Sequence, residues 1–202
     1  MTQVLVSTAY LPPISYFSII AEHGRVTIEN NENYIKQTYR NRCNILSSHG
    51  IQVLTVPVLR ATLHKVRISE VRIDYSKRWQ QVHLRAMIAA YKSSPYFDFY
   101  FDKIESIICE NHEFLKDLNM SLLFAIVKML RIEADIALTD KFIPPRGDSG
   151  DFRYSLVPGT PGIMSIDKYT QVFAGKGFFP DLSIVDLIFN TGPEAIKYII
   201  GH

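Results

Sequence analysis

"QVLVSTAYLPPISYFSIIAEHGRVTIE", residues 3–29, decides the fold. Residues 3–7 form a short run of strand-favouring residues, and residues 25–29 form another. Between them, Tyr16, Phe17, Ile19 and Ile20 fall at helical spacing. Pro12 and Pro13 precede that helix, where a missing backbone N–H costs nothing. His23 and Gly24 end it, glycine being suited to the left-handed residue that closes a helix. A strand, a helix and a second strand within thirty residues predict parallel strands joined by a right-handed crossover. The chain therefore reads as α/β, with a mainly parallel sheet.

Further along, "NRCNILSSHGIQVLTVPV" (41–58) reads as a β-hairpin turning at Ser48-His49-Gly50. "KVRISEVRID" (65–74) alternates as one more strand or a broken pair. Helical periodicity then takes over. Residues 76–94 predict a helix capped by Ser76, with Trp79, Val82, Ala86 and Ala90 as its stripe and Pro95 as its stop. Residues 100–111 and 114–132 predict two more helices. "ADIALTDKF" (134–142) offers a short strand, and "IPPRGDSGDFR" (143–153) a long loop. The tail "LSIVDLIFNTGPEAIKYII" (182–200) gives a helix, a Gly192-Pro193 break and a last helical turn or two. The expected organisation is one domain over 1–202, strand-rich to 75, helical over 76–133, and ending in a loop and helix over 134–202. The helices form an appended subdomain.

With 202 residues, 47% of them hydrophobic, the chain can bury a sizeable core. A formal charge of +2 gives no field strong enough to point to nucleic acid. Cys43 and Cys109 lack metal-ligand spacing, so neither a zinc site nor a disulfide framework is expected. The first ten residues lack a signal peptide's charged start and long apolar run. The longest apolar helical stretch, 122–130, contains Lys128 and is too short to span a bilayer. A cytoplasmic protein is expected.

Three places could carry chemistry. The turn at 7–16 brings Ser7, Thr8, Tyr10 and Tyr16 to a strand's carboxyl end and a helix start, where α/β folds bind anions. The alternative is that Tyr10 and the prolines only shape the turn. "ENYIKQTYRNR" (32–42) sets Lys36, Arg40 and Arg42 among Gln37, Tyr34 and Tyr39. On a helix, Lys36 and Arg40 would share a face. Cations mixed with aromatics suit a phosphate joined to a flat or sugar-like group, against the alternative of a solvated basic face. "GDSGDFRY" (147–154) carries Asp148, Asp151 and Arg153 on a loop that could close over a substrate, or be an exposed turn. His83, one helical turn after Trp79, is either a core histidine or a general base. No nucleophile elbow, zinc-helix or phosphate-loop motif is present, and the cofactor is left unknown.

Together these segments resemble a known family. "STAYLPPISYF", "ENYIKQTYRNRCNI", "LTVPV", "AYKSSPYFDFY" and "DLSIVDLIFNTGPE" occur in this order in WbqC-like proteins, in the form found in Bacteroidetes. The resemblance implies a role in bacterial surface-polysaccharide (O-antigen-like) or glycolipid synthesis, acting on a nucleotide- or lipid-linked sugar. It brings no motif with an established catalytic role. On this reading Lys36, Arg40 and Arg42 hold a diphosphate, while Ser7, Gln37 and Arg153 add polar contacts. Tyr10, Tyr16 and Tyr39 contact the sugar or base. Asp151 or His83 takes the proton. The alternative is a non-catalytic scaffold whose apolar tail meets a partner enzyme or a second copy. The opening strand, proline turn and helix are also similar to nucleotidylyltransferases of the class I synthetase-like superfamily. Where those carry a histidine-glycine-histidine signature, this chain has Pro12, Pro13, Ser15 and Tyr16.

Overall fold

The computed structural model describes residues 4–59, 65–147, 149–159, 164–173, 175 and 177–201. Strand β1 (Val4–Ser7) leads into helix α1 (Ile14–His23) and strand β2 (Arg25–Glu29). β1 and β2 pair in parallel, and strand β5 (Asp135–Leu138) joins β2 on its other side, also in parallel. The sheet order is thus β1-β2-β5. A short extension flanks β1, where Leu5 N–H donates to Gly150 O and Phe152 N–H donates to Leu5 O. The carboxyl ends of all three parallel strands therefore open on one edge, which is where this architecture places ligands. α1 closes as expected, with Gly24 in the left-handed conformation donating its N–H to Ile20 O.

Strands β3 (Arg42–Ser47) and β4 (Gly50–Thr55) form the predicted antiparallel hairpin, a sheet separate from the first. The expected strand over 65–74 is replaced by a single 3-10 turn at Ile68–Glu70 and three isolated bridges: Asn33 with Arg67, Val58 with Ile73, and Arg72 with Phe114. The alternating valines and isoleucines there are core plugs: Ile68, Val71 and Ile73 are buried without lying in a ladder.

Among helices α2 (Trp79–Tyr91), α3 (Phe97–Cys109) and α4 (Leu115–Met129), α3 packs against both α2 and α4, and α2 also packs on β3. α2 begins three residues later than its sequence suggests. Ser76 does not cap it, because Ser76 N–H instead donates to the Asp74 carboxylate. Its buried stripe is Trp79, His83, Met87 and Ala90, and Val82 points outward. Helices α5 (Ile184–Thr191) and α6 (Ala195–Ile200) flank the predicted break at Gly192. Gly192 has φ +56°, and a Cβ there would sit 2.4 Å from the Tyr96 ring. Only glycine lets α5 approach the α2–α3 turn, where Tyr96 N–H donates to Phe189 O.

Buried side chains of sheet, hairpin and helices join in one apolar cluster. The tail read as a partner surface belongs to it, since Ile184, Val185, Leu187, Ile188 and Phe189 are all buried. Among the described residues no helix is long and apolar enough to cross a membrane.

Candidate functional site

The carboxyl edge of the parallel sheet holds a dense ionic cluster. Arg40 lies buried in a two-pronged contact with Glu32, with Nε to Oε1 at 2.9 Å and Nη2 to Oε2 at 2.7 Å. Its Nη2 also reaches Ser7 Oγ at 2.6 Å. Arg153 grips Asp151 in the same manner, at 2.8 and 2.6 Å, and meets Glu29 at 3.3 Å. Glu29, wholly buried, accepts further bonds from the Thr139 hydroxyl and from the N–H groups of Asn31 and Ile143. The Arg153 guanidinium beside Asp151 holds that carboxyl below its usual range. Burial raises the Tyr16 hydroxyl well above its usual range, and its proton is donated to Ser7 O at 2.9 Å. Ser7, Thr8, Tyr16, Tyr39, Arg40 and Arg153 surround a void of about 10 Å³, the size of one water molecule. The cluster is closed, and every charge in it already has a partner.

The start of α1 is occupied too. Ser15 donates its backbone N–H and its hydroxyl, both at 2.8 Å, to the two carboxylate oxygens of Asp181. Asp181 takes φ +53° to reach them, a conformation aspartate tolerates better than most residues. Ile14 N–H donates to Leu182 O, and Ser183 Oγ donates to Leu11 O. The anion-seeking helix terminus thus receives an anion from the chain itself. Burial raises the Asp181 pKa, opposed by the Ser15 donors.

Tyr10 is buried, and its hydroxyl lies 2.9 Å from His83 Nδ1, while His83 Nε2 lies 3.2 Å from Thr55 O. A carbonyl only accepts, so Nε2 carries the proton and Nδ1 accepts from Tyr10. Burial lowers the His83 pKa to about 4. The imidazole is neutral with both nitrogens engaged, which makes it a fixed post between the β1–α1 turn and the hairpin. Trp79 packs on its ring, 5.1 Å between centroids.

The open part of the molecule lies on the other side of residues 34–42. A groove of about 1200 Å³ is lined by Tyr34, Lys36, Gln37, Asn41, Arg42, the end of β4 with residues 55–58, Asp74 and Lys77. Segment 36–41 is a succession of turns, with Gln37 at φ +62°. Lys36 and Arg40 therefore do not share a helical face: Lys36 lines the groove and Arg40 is buried in the cluster. Lys36, Arg42 and Lys77 have no ion pair among the described residues. Arg42 Nε and Asn41 Oδ1 are buried without a hydrogen-bond partner there. Three cations against Asp74 leave the groove with an excess of two positive charges. Burial pushes the Tyr34 and Tyr39 hydroxyls up to about 12, so both are protonated donors at neutral pH.

The residues singled out from sequence thus divide. Lys36, Gln37 and Arg42 meet in the groove. Ser7, Tyr16, Tyr39, Arg40 and Arg153 surround the small void, with Asp151 locked to Arg153. Tyr10 and His83 form a buried pair lining neither. Asp148 lies outside the described residues. Sequence reading missed Asp74, Lys77 and the 55–58 wall. The Asp-x-Ser turn at 74–76 was the available signal, since Asp74 binds Ser76 N–H at 2.9 Å as such turns do.

The sequence profile described as "WbqC-like protein family" matches residues 8–157, so the chain belongs to that family. It is also similar to the uncharacterised protein Rv1507c of Mycobacterium tuberculosis, at 29% identity covering 96% of each chain. No solved structure gives a significant match.

Proposed function

We propose that the groove beside residues 34–42 binds the phosphate-bearing part of an activated, nucleotide- or lipid-linked sugar. On this reading the protein is a transferase-type enzyme of surface-polysaccharide or glycolipid synthesis, the role implied by WbqC-like membership. One observation carries the proposal: Lys36, Arg42 and Lys77 line an open groove and form no ion pair among the described residues. Arginine and lysine left unpaired beside a cavity attract phosphate oxygens, arginine through a planar fork and lysine as a point charge. Gln37, Asn41 and the Tyr34 hydroxyl supply neutral polar groups suited to sugar hydroxyls. Val56, Pro57 and Val58 give an apolar wall.

Arg40, expected from sequence to hold a diphosphate, and Arg153, expected to add a polar contact, are positioning residues on this reading. Each is buried and held by a carboxylate of the chain. His83 likewise positions Tyr10 and the carbonyl of Thr55. The scaffold alternative drew on the apolar tail, which is spent in the core. A thermal-shift panel of nucleoside diphosphate sugars tests the proposal, because a ligand that binds only the folded state raises the melting temperature. The expected result is a rise with at least one of them that Arg42→Ala reduces. No rise across the panel at millimolar concentration would refute it.

A further inference from the structure

The cationic groove continues into an apolar strip on the hairpin. In the β3–β4 register Arg42 faces Thr55, Asn44 faces Val53 and Leu46 faces Ile51. Alternate residues of a strand share a face, so Thr55, Val53 and Ile51 line up on the face that carries Arg42. The intervening pair, Cys43 and Leu54, points the other way into the core. Arg42 and Thr55 line the groove. Beyond them Val53 is 48% exposed and Ile51 54% exposed. At about 3.4 Å per residue, the row from Thr55 to Ile51 is about 13 Å long.

A lone exposed aliphatic side chain needs no explanation. Two in a row on an edge strand do, because edges are ordinarily guarded by charges, prolines or bulges. β4 is an edge of its two-stranded sheet, and its register runs unbroken without any of these guards. From 44 to 58 the chain contains no Asp, Glu, Lys or Arg. Charge thus stops at Arg42, and exposed aliphatic surface begins at the next pair on that face. A molecule complementary to both parts joins phosphate oxygens, for Lys36, Arg42 and Lys77, to a hydrocarbon chain, for Val53 and Ile51. Val53 and Ile51 offer a nucleoside no ring to stack on. A second copy of the chain would cover the strip but leaves its adjacency to the cations unexplained. Resting on the reading of the groove given above, we infer that its ligand is a lipid phosphate, whose hydrocarbon chain lies along Val53 and Ile51.

The test titrates isopentenyl diphosphate and farnesyl diphosphate into the full chain by calorimetry, with inorganic pyrophosphate alongside. The two esters share a headgroup and differ in the length of their hydrocarbon chain. Wild type is expected to bind the farnesyl ester about tenfold or more tightly than the isopentenyl ester, a gain that burial of about two methylene groups supplies. Substituting Ile51→Thr and Val53→Thr together keeps β-branched residues on exposed positions and is expected to fold. This double variant should lose the preference for the longer chain and bind pyrophosphate as wild type does. A wild type that binds both esters equally, or a double variant that keeps the preference, overturns the inference and leaves the anion groove standing. A wild type that sediments as a dimer, which the double variant does not form, assigns the strip to a second copy and also overturns it. A wild type that binds neither ester nor pyrophosphate overturns the inference and the reading of the groove together.

Discussion

Arg40 and Arg42 stand two residues apart and end in opposite settings. Arg40 points into the sheet edge, is 2% exposed, and is clasped by Glu32. Arg42 begins β3, lines the groove, and has no ion pair among the described residues. The same contrast separates the two regions they belong to. The strand-end cluster is where α/β sheets usually bind ligands, yet here the chain has filled it with its own Asp151, Glu29 and Glu32, and has filled the α1 terminus with Asp181. Among the described residues the groove's cations have no such ion-paired partners. Position in a fold indicates where a ligand can bind. Whether charges there are already paired indicates which of two such places is free to receive one.

The largest effect separating the regions should come from stability. Arg40→Ala strands Glu32 without its buried partner and is expected to cost about 3–5 kcal/mol in urea unfolding. Replacing Arg40 and Glu32 together by Met and Leu should restore most of that, because no buried charge then remains unpaired. An Arg40→Ala protein of wild-type stability would break the comparison.

His83 gives the next effect. Its folded pKa of about 4 lies below the unfolded value, so protons prefer the unfolded chain. The contribution is full above about pH 6.5 and declines as the pH falls toward 4, by about 3 kcal/mol in all. His83→Gln should flatten that part of the stability–pH curve, and an unchanged curve would contradict the buried neutral assignment.

Arg42→Ala should act the other way from Arg40→Ala. Stability is expected within about 0.5 kcal/mol of wild type, while pyrophosphate affinity in calorimetry drops by about tenfold or more, the worth of a charge-assisted hydrogen bond. The smallest effects belong to Lys36→Ala and Lys77→Ala. Both side chains are exposed, and each should weaken the same binding by a few-fold, consistent with about 0.2–1 kcal/mol for a solvated charge. Equal losses from all three substitutions would mean that the groove acts only through its net field.

Much of the fold was legible because its signals are local. Two short strands around a proline-started helix gave the parallel pair, the Ser48-His49-Gly50 turn gave the hairpin, and Gly192-Pro193 gave the last break. The site was legible only in part. Mixed cations and aromatics marked 32–42 as unusual, but spacing could not tell which cation faces outward. That depends on the turn at Gln37 and on Glu32 folding back eight residues to Arg40. The occupied helix start depends on Asp181, 166 residues away from Ser15. Nothing near Ser15 announces it. Residues 65–74, expected to be a strand or a broken pair, show only isolated bridges for a related reason: alternation reports burial, and burial here comes mainly from packing against other segments.

The central claim is that ligand anions bind the groove and leave the strand-end cluster alone. Backbone amide chemical-shift mapping of a pyrophosphate titration tests it directly. The account predicts the largest shifts at Lys36, Gln37, Arg42, Thr55, Asp74 and Lys77, and small ones at Ser7, Thr8 and Arg153. Largest shifts at Ser7, Thr8 and Arg153, with the groove residues unmoved, would contradict it.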